Sequence, residues 1–390
     1  MQDHRVSAGN LAAGEAPAPV VAPRSLAWLK RLLIYLGLYA AWLAWMLAMT
    51  GGFAETPSQW ISGWFRWDAQ WYEQIWRIGY QAQPVTLVFP PGFSYLCGAL
   101  ASISGMPFGM AACLLNAVAF LIAGMLCAEL LYSRFQVAPF GGFLFFLSAP
   151  ASYFAFVPYS DAVFLMLFWC ALHLGLREPG TLKPRHWMIG SLLFLAIPSV
   201  RIVGYSLLSW VLLRRWYALA LLPALGLWML LNQHLAGSPL AFLEMQAKFL
   251  MPQGTFDEGL IAAVNASLGI RLNALSESQS ALTFGVLPLT ALLLLSATTV
   301  WMAWRREWLL ALTLVCIIFV SHNQSYWRSV VRYDWIVWGL MAAPLLGLRP
   351  NTSHPGRAQL GAAVAGALIL SGFVLQQVFA KLFRLGHWAF

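Results

Sequence analysis

Asp68 sits among tryptophans, in the run Ser62-Gly63-Trp64-Phe65-Arg66-Trp67-Asp68-Ala69-Gln70-Trp71-Tyr72-Glu73-Gln74-Ile75-Trp76-Arg77-Ile78-Gly79-Tyr80. Trp64, Trp67, Trp71, Ile75 and Ile78 recur at three- and four-residue steps, the pattern of a one-sided helix that Gly79 then stops. Trp and Tyr favour the headgroup level, so the spacing predicts a helix lying flat on a membrane face. An ordinary interfacial helix with an aromatic belt accounts for the rings but not for a carboxylate among them, which is costly there unless it is needed. Arg201 is the sharpest isolated charge. It stands between apolar stretches of about 13 and 12 residues, just after Pro198. Either it snorkels from a loop between tilted helices, or it binds phosphate, whose geometry a guanidinium matches bidentately. Asp161, directly after Pro158-Tyr159-Ser160, is either a first-turn carboxylate favoured by the helix dipole or a second carboxylate facing Asp68. In the latter case it orients a bound group or helps hold a metal. The stretch Ser321–Asp334 packs His322, Arg328, Arg332 and Tyr333 into one junction, either a solvated loop or a phosphate-binding surface.

The elements that must position these groups are helices in a membrane. The chain is 60% hydrophobic and 9% charged, with mean hydropathy +0.70, against about 25% charged in soluble domains. A cytosolic enzyme, a nucleic-acid binder and a secreted disulfide scaffold are thereby excluded. The net charge of +9 is first explained by cytoplasmic Lys and Arg orienting the helices. Five cysteines lie singly in apolar runs without CxxC or metal spacing and read as small buried hydrophobes.

Apolar runs near 26–49, 107–132, 137–157, 159–176, 187–199, 202–213, 216–236, 281–304, 307–321, 334–348 and 358–380 predict about eleven crossings of an all-α polytopic protein. Residues 1–24 read as a flexible tail, and 25–390 as a single transmembrane domain without internal repeat. The stretch 89–103 opens with Pro90-Pro91-Gly92 and suits a re-entrant or interfacial helix. With 89–103 not crossing and the N-terminus inside, 14 of the 23 Lys and Arg fall inside and 9 outside, as the positive-inside rule prefers. Two long segments, within 50–106 and 237–280, then lie on the outer side.

Trp67-Asp68-Ala69, Tyr72, Ile75 and Gly79-Tyr80, followed by Phe89-Pro90-Pro91-Gly92-Phe93, resemble the first outer loop of PIG-V-type mannosyltransferases, polytopic glycosyltransferases of the GT-C class. Ser148-Ala149-Pro150-Ala151-Ser152 with Tyr159-Ser160-Asp161, Arg201-Ile202-Val203-Gly204 and Arg332-Tyr333 are similar to later family elements. Asp161 replaces the usual Glu, Ser94 lacks the family's final Pro, and Ile202-Val203 is more apolar than in relatives. The resemblance implies a hexosyltransferase, with mannose as the sugar and a polyprenyl or dolichyl phosphate as donor. Its acceptor would be a glycolipid or glycan on the outer or lumenal face of a bacterial plasma membrane, or of the endoplasmic reticulum in a eukaryote. It further implies Asp68 and Asp161 as catalytic residues and Arg201, Arg332 and Arg66 at the donor phosphate. Trp67, Tyr72, Glu73, Tyr159, His322, Arg328 and Tyr333 would bind donor or acceptor. A divalent metal, Mg or Mn, stays open. No Walker A, G-x-S-x-G, H-E-x-x-H or Asp-rich nucleotide-sugar motif occurs, and an outward site lacks nucleotide sugars. A lipid or oligosaccharide flippase would use similar buried charges, and a non-catalytic subunit of a glycosylation complex would dispense with Asp68.

Overall fold

The computed structural model describes residues 24–81, 83–177, 183–246, 286–322, 330–347 and 355–386. The N-terminal tail 1–23, most of the second outer loop and Arg328 lie outside the described residues. Among those described there is no strand. Five helical segments are long and apolar enough to cross a membrane: Ala27–Met49, Phe108–Phe135, Trp216–Ala236, Leu287–Trp304 and Gly356–Arg384. These are the features of a helical membrane protein. The other apolar runs form shorter or interrupted helices, so length and apolarity support five crossings of the eleven read from hydropathy.

The chain begins with α1 (Arg24–Met49), the short α2 (Pro57–Ser62) and α3 (Asp68–Ile78). Next come α4 (Pro91–Ser104) and α5 (Phe108–Phe135). At 1.5 Å per residue, α4's 14 residues rise only about 21 Å, short of a hydrocarbon core of about 30 Å. Gly98 permits α3 and α4 to meet, because a Cβ there would stand 2.0 Å from the Trp76 ring.

The run 137–157 is two pieces, α6 (Pro139–Leu147) and a 3-10 helix, Pro150–Ala155. Pro150 has no N–H and disfavours helix in the residue before it, so α6 ends there. The carbonyls of Leu147 and Ala149 are taken up by the Gln376 amide, at 2.6 and 2.8 Å. Asn116, buried in the first third of α5, does similar work at the next break. Its amide donates to the carbonyls of Val157 (2.6 Å) and Tyr159 (2.8 Å), just ahead of α7 (Asp161–Gly175).

Beyond α7 lie α8 (Pro184–Val200), the 3-10 helices Ile202–Leu213 and Trp216–Ala220, α9 (Leu221–Ala236) and α10 (Ala241–Met245). Pro198 falls in the last turn of α8, and Arg201 is extended (φ −157, ψ 129) between α8 and the 3-10 run. After residues 247–285, which lie outside the described residues, come α11 (Leu287–Trp304), α12 (Trp308–His322), α13 (Val330–Trp338), α14 (Ala342–Leu346) and α15 (Pro355–Arg384). α13 packs on α12 and on the 3-10 helix Pro150–Ala155, which brings Arg332 to the start of α7.

Candidate functional site

Four charges from four separate elements meet beneath α3. Arg332 of α13 grips Asp161 bidentately: Nε donates to Oδ1 at 2.9 Å and Nη2 to Oδ2 at 2.7 Å. Its remaining Nη1 donates to Asp68 Oδ2 at 3.4 Å. Arg201 pairs with Asp161 Oδ1 from the other side. The two guanidiniums are stacked on rings, Arg332 over Tyr159 (4.6 Å) and Phe154 (4.9 Å), Arg201 over Tyr333 (4.9 Å). Asp161, Arg201 and Arg332 are all buried, while the Asp68 side chain keeps 16% exposure.

Asp68, Tyr72, Arg201, Arg332 and Tyr333 line a cavity of about 360 Å³ together with Phe89 and Pro90 of the proline-rich stretch. Burial pushes the Asp68 carboxyl above the usual carboxylate range, and the charge of Asp161 adds to the rise; Arg332 and Arg201 pull it back only in part. The result is a carboxylate with more appetite for a proton than an exposed aspartate has, at the mouth of a cavity walled by two cations.

The backbone holding Asp68 is strained. Trp67 has φ 52 and ψ −118, a conformation that suits glycine and costs a tryptophan of order 1–3 kcal/mol. Tyr159 holds it there. Its hydroxyl donates to the Arg66 carbonyl (3.1 Å) and accepts from the Asp68 N–H (3.2 Å), clasping the peptides on both sides of Trp67. Tyr72 and Ser160 join hydroxyls at 2.9 Å, a second tie between α3 and the start of α7.

Several expected roles change. α3 starts at Asp68, so Trp64 and Trp67 are not in phase with it, and the buried face is Ala69, Tyr72 and Ile75. Trp67 is 44% exposed and does not line the cavity; what it contributes to the site is its backbone. Asp161 does not face Asp68 across the cavity but stands behind the arginines, both of its oxygens engaged by them. It is also the first residue of α7, the first-turn carboxylate of the other reading. Arg66 points away, donating to the carbonyls of Gly63 (3.3 Å) and Arg384 (2.8 Å) beside a different pocket. Glu73, five residues after Asp68 and so about 140° round the helix, pairs with Arg77 on the outer side (2.8 Å). His322 is fully buried with Ser321 and Asp334 and does not line the cavity. Tyr159 is buried behind the site. Arg201, Arg332, Tyr72 and Tyr333 do come together around Asp68.

Asn116 and Ser160 were missed as positioning residues. A lone amide inside the apolar run Leu114-Leu115-Asn116-Ala117-Val118 was the signal for the first. The donor set does not fit a divalent metal. Among the described residues no group of three His, Cys, Asp or Glu could hold one, and the Arg332 guanidinium fills the gap between the two aspartates.

No family model, curated protein or solved structure matches the chain.

Proposed function

We propose that the chain is a PIG-V-type GT-C enzyme of about eleven crossings that moves a hexose, with inversion, from a polyprenyl or dolichyl phosphate to a glycolipid or glycan. Its active site would face the outside of a bacterial plasma membrane. The observation that carries this reading is the meeting of Asp68, Arg201 and Arg332 in one cavity. An acceptor hydroxyl attacks the anomeric carbon, Asp68 takes its proton, and the bond from that carbon to the phosphate oxygen breaks on the opposite side. The formal charge of the four-residue cluster is zero while Asp68 is ionised and +1 once it is protonated. Positive charge therefore appears in the site as negative charge builds on the departing phosphate, which is the timing that stabilises a transition state. The choice of mannose and of a lipid-linked donor rests on the resemblance of the motifs around Asp68 and Arg332.

The test is to incubate purified protein with a panel of radiolabelled polyprenyl-phosphate hexoses and membrane glycolipid. Label should leave the lipid in the wild type and stay on it in Asp68→Asn. No transfer from any hexose, or equal transfer by the variant, would sink the reading.

A further inference from the structure

A second polar pocket, of about 570 Å³, lies at the shared end of α1 and α15, lined by Thr50, Glu55, Arg66, Lys381 and Arg384 among others. The two helices run parallel. Trp42 Nε1 donates to Gln376 Oε1 at 3.0 Å, and Arg384 donates to the Thr50 carbonyl, pairs with the same sequence offset of 334. An equal offset eight residues, or about 12 Å, further on means equal rise in the same direction. A separate apolar groove of about 280 Å³ lies lower on the same pair of helices and on α6, lined by Leu38, Ala41, Trp42, Trp45, Leu147 and Phe373 among others. On α1, Leu38 and Trp45 of the groove and Met49 of the polar pocket fall within about 40° of one another, so one helical stripe joins the two. Along α15, Phe373 and Lys381 are about 12 Å apart, within the roughly 15 Å depth of one leaflet's hydrocarbon.

The charges decide what occupies the pocket. Arg384 is matched by Glu55 at 2.5 Å. Glu55 is the one carboxylate lining the pocket among the described residues, against Arg66, Lys381 and Arg384, an excess of two positive charges. Arg66 spends its bonds on backbone carbonyls, which leave its charge uncancelled.

We propose that this cleft binds an anionic phospholipid of the surrounding bilayer, with its phosphate at Arg66 and Lys381 and one acyl chain along Trp45 into the groove. The site is distinct from the cavity at Asp68 and does not depend on the glycosyltransferase reading. Arg66 is one residue from the strained Trp67, so the lipid would brace the segment that carries Asp68.

Native mass spectrometry of the full chain in detergent tests this, using phosphatidylglycerol and phosphatidylcholine with identical acyl chains. At about 1 kcal/mol, or fivefold, per cation, the wild type should prefer phosphatidylglycerol by roughly 25-fold. The double variant Arg66→Gln/Lys381→Gln should lose that preference, and Ala41→Phe, at an exposed groove position, should weaken both lipids. Lys381→Gln alone, also exposed, should lose about fivefold, and keeps the test open if the double variant fails to fold. Equal binding of the two lipids by the wild type, or an undiminished preference in Lys381→Gln, would overturn the proposal. Displacement of the lipid by millimolar glycerol phosphate would overturn the acyl-chain half of it, and loss of the lipid on dimer formation would assign the cleft to a second copy.

Discussion

α13 serves two buried polar clusters from opposite faces, since Arg332 and Asp334 are two residues and so about 200° apart on the helix. Arg332 joins Asp68, Asp161 and Arg201 against an open cavity. Asp334 accepts from Ser321 Oγ at 3.1 Å, Ser321 Oγ meets His322 Nδ1 at 2.8 Å, and His322 Nε2 lies 3.7 Å from Asp334 Oδ2; all three residues are wholly enclosed. Taken as residue types, Ser, His and Asp look the more reactive set. Yet no substrate reaches a group that is 0% exposed, and the bond from Ser321 to Asp334 ties α12 to α13. Access separates the two clusters more sharply than composition does. The open one is balanced only when Asp68 is ionised, and so is the one prepared to exchange a proton.

The sharpest way to break this contrast is Asp68→Asn. Transfer should fall by about 10²- to 10⁴-fold, the range that a positioned general base supplies. Stability should hold or rise, because burial is the largest influence on this carboxyl and pushes it up. The sign follows from linkage. Holding Asp68 ionised costs stability as pH rises from its ordinary value, about 3.9, through its raised folded value, and the neutral amide avoids that cost. Transfer by the wild type should conversely disappear as pH falls through that raised value, giving an acid limb above the ordinary carboxylate range. A melting curve in detergent beside a pH–rate profile reads both. A variant that loses activity and stability together would make Asp68 a structural charge.

Arg332→Ala comes next. It leaves Asp161 with only Arg201 and Asp68 with no close partner, and breaking a buried pair on one side costs about 3–5 kcal/mol. A markedly lowered melting temperature with no transfer is expected. Tyr159→Phe is gentler. It removes the hydroxyl that clasps the Arg66 carbonyl and the Asp68 N–H, a loss of about 1–3 kcal/mol, while the aromatic face under Arg332 stays. With Trp67 freed to relax, kcat should drop roughly tenfold at unchanged donor KM. A rise in KM alone would move Tyr159 from positioning to binding.

Much of the site was legible because charge is scarce: with 9% charged residues, an isolated Asp or Arg in an apolar run stands out. Asp68 and Arg201 were found that way, as was the break at Arg201, from Pro198 and two short apolar runs, whereas Arg332 stood out within the polar junction Ser321–Asp334. Side-chain direction was not legible. Arg66 and Asp68 are neighbours but one, yet the turn at Trp67 sends them to different pockets, and no periodicity reports a positive φ at a tryptophan. Nor does spacing show that Asp161 would be claimed by two arginines, 40 and 171 residues away. The helical pattern was placed four residues too early for a related reason. Trp64 and Trp67 fit the period, but they belong to turns, and the helix takes its phase from Asp68. Hydropathy likewise merged α6 with the following 3-10 helix, because Pro150 breaks the helix without breaking the apolar run.

The smallest expected effect sharpens the contrast from the closed side. His322→Ala removes an imidazole that does not line the cavity, and Asp334 keeps its bond from Ser321. Stability should fall by about 1–3 kcal/mol, the cost of disturbing one buried polar network. Transfer per folded molecule should stay within twofold, with the donor KM unmoved, because Arg332 is held by Asp161 and not by His322. A tenfold rise in donor KM would mean that the cluster opens to the cavity during turnover. The two faces of α13 would then belong to one site, and the distinction between an open and a closed cluster would fail.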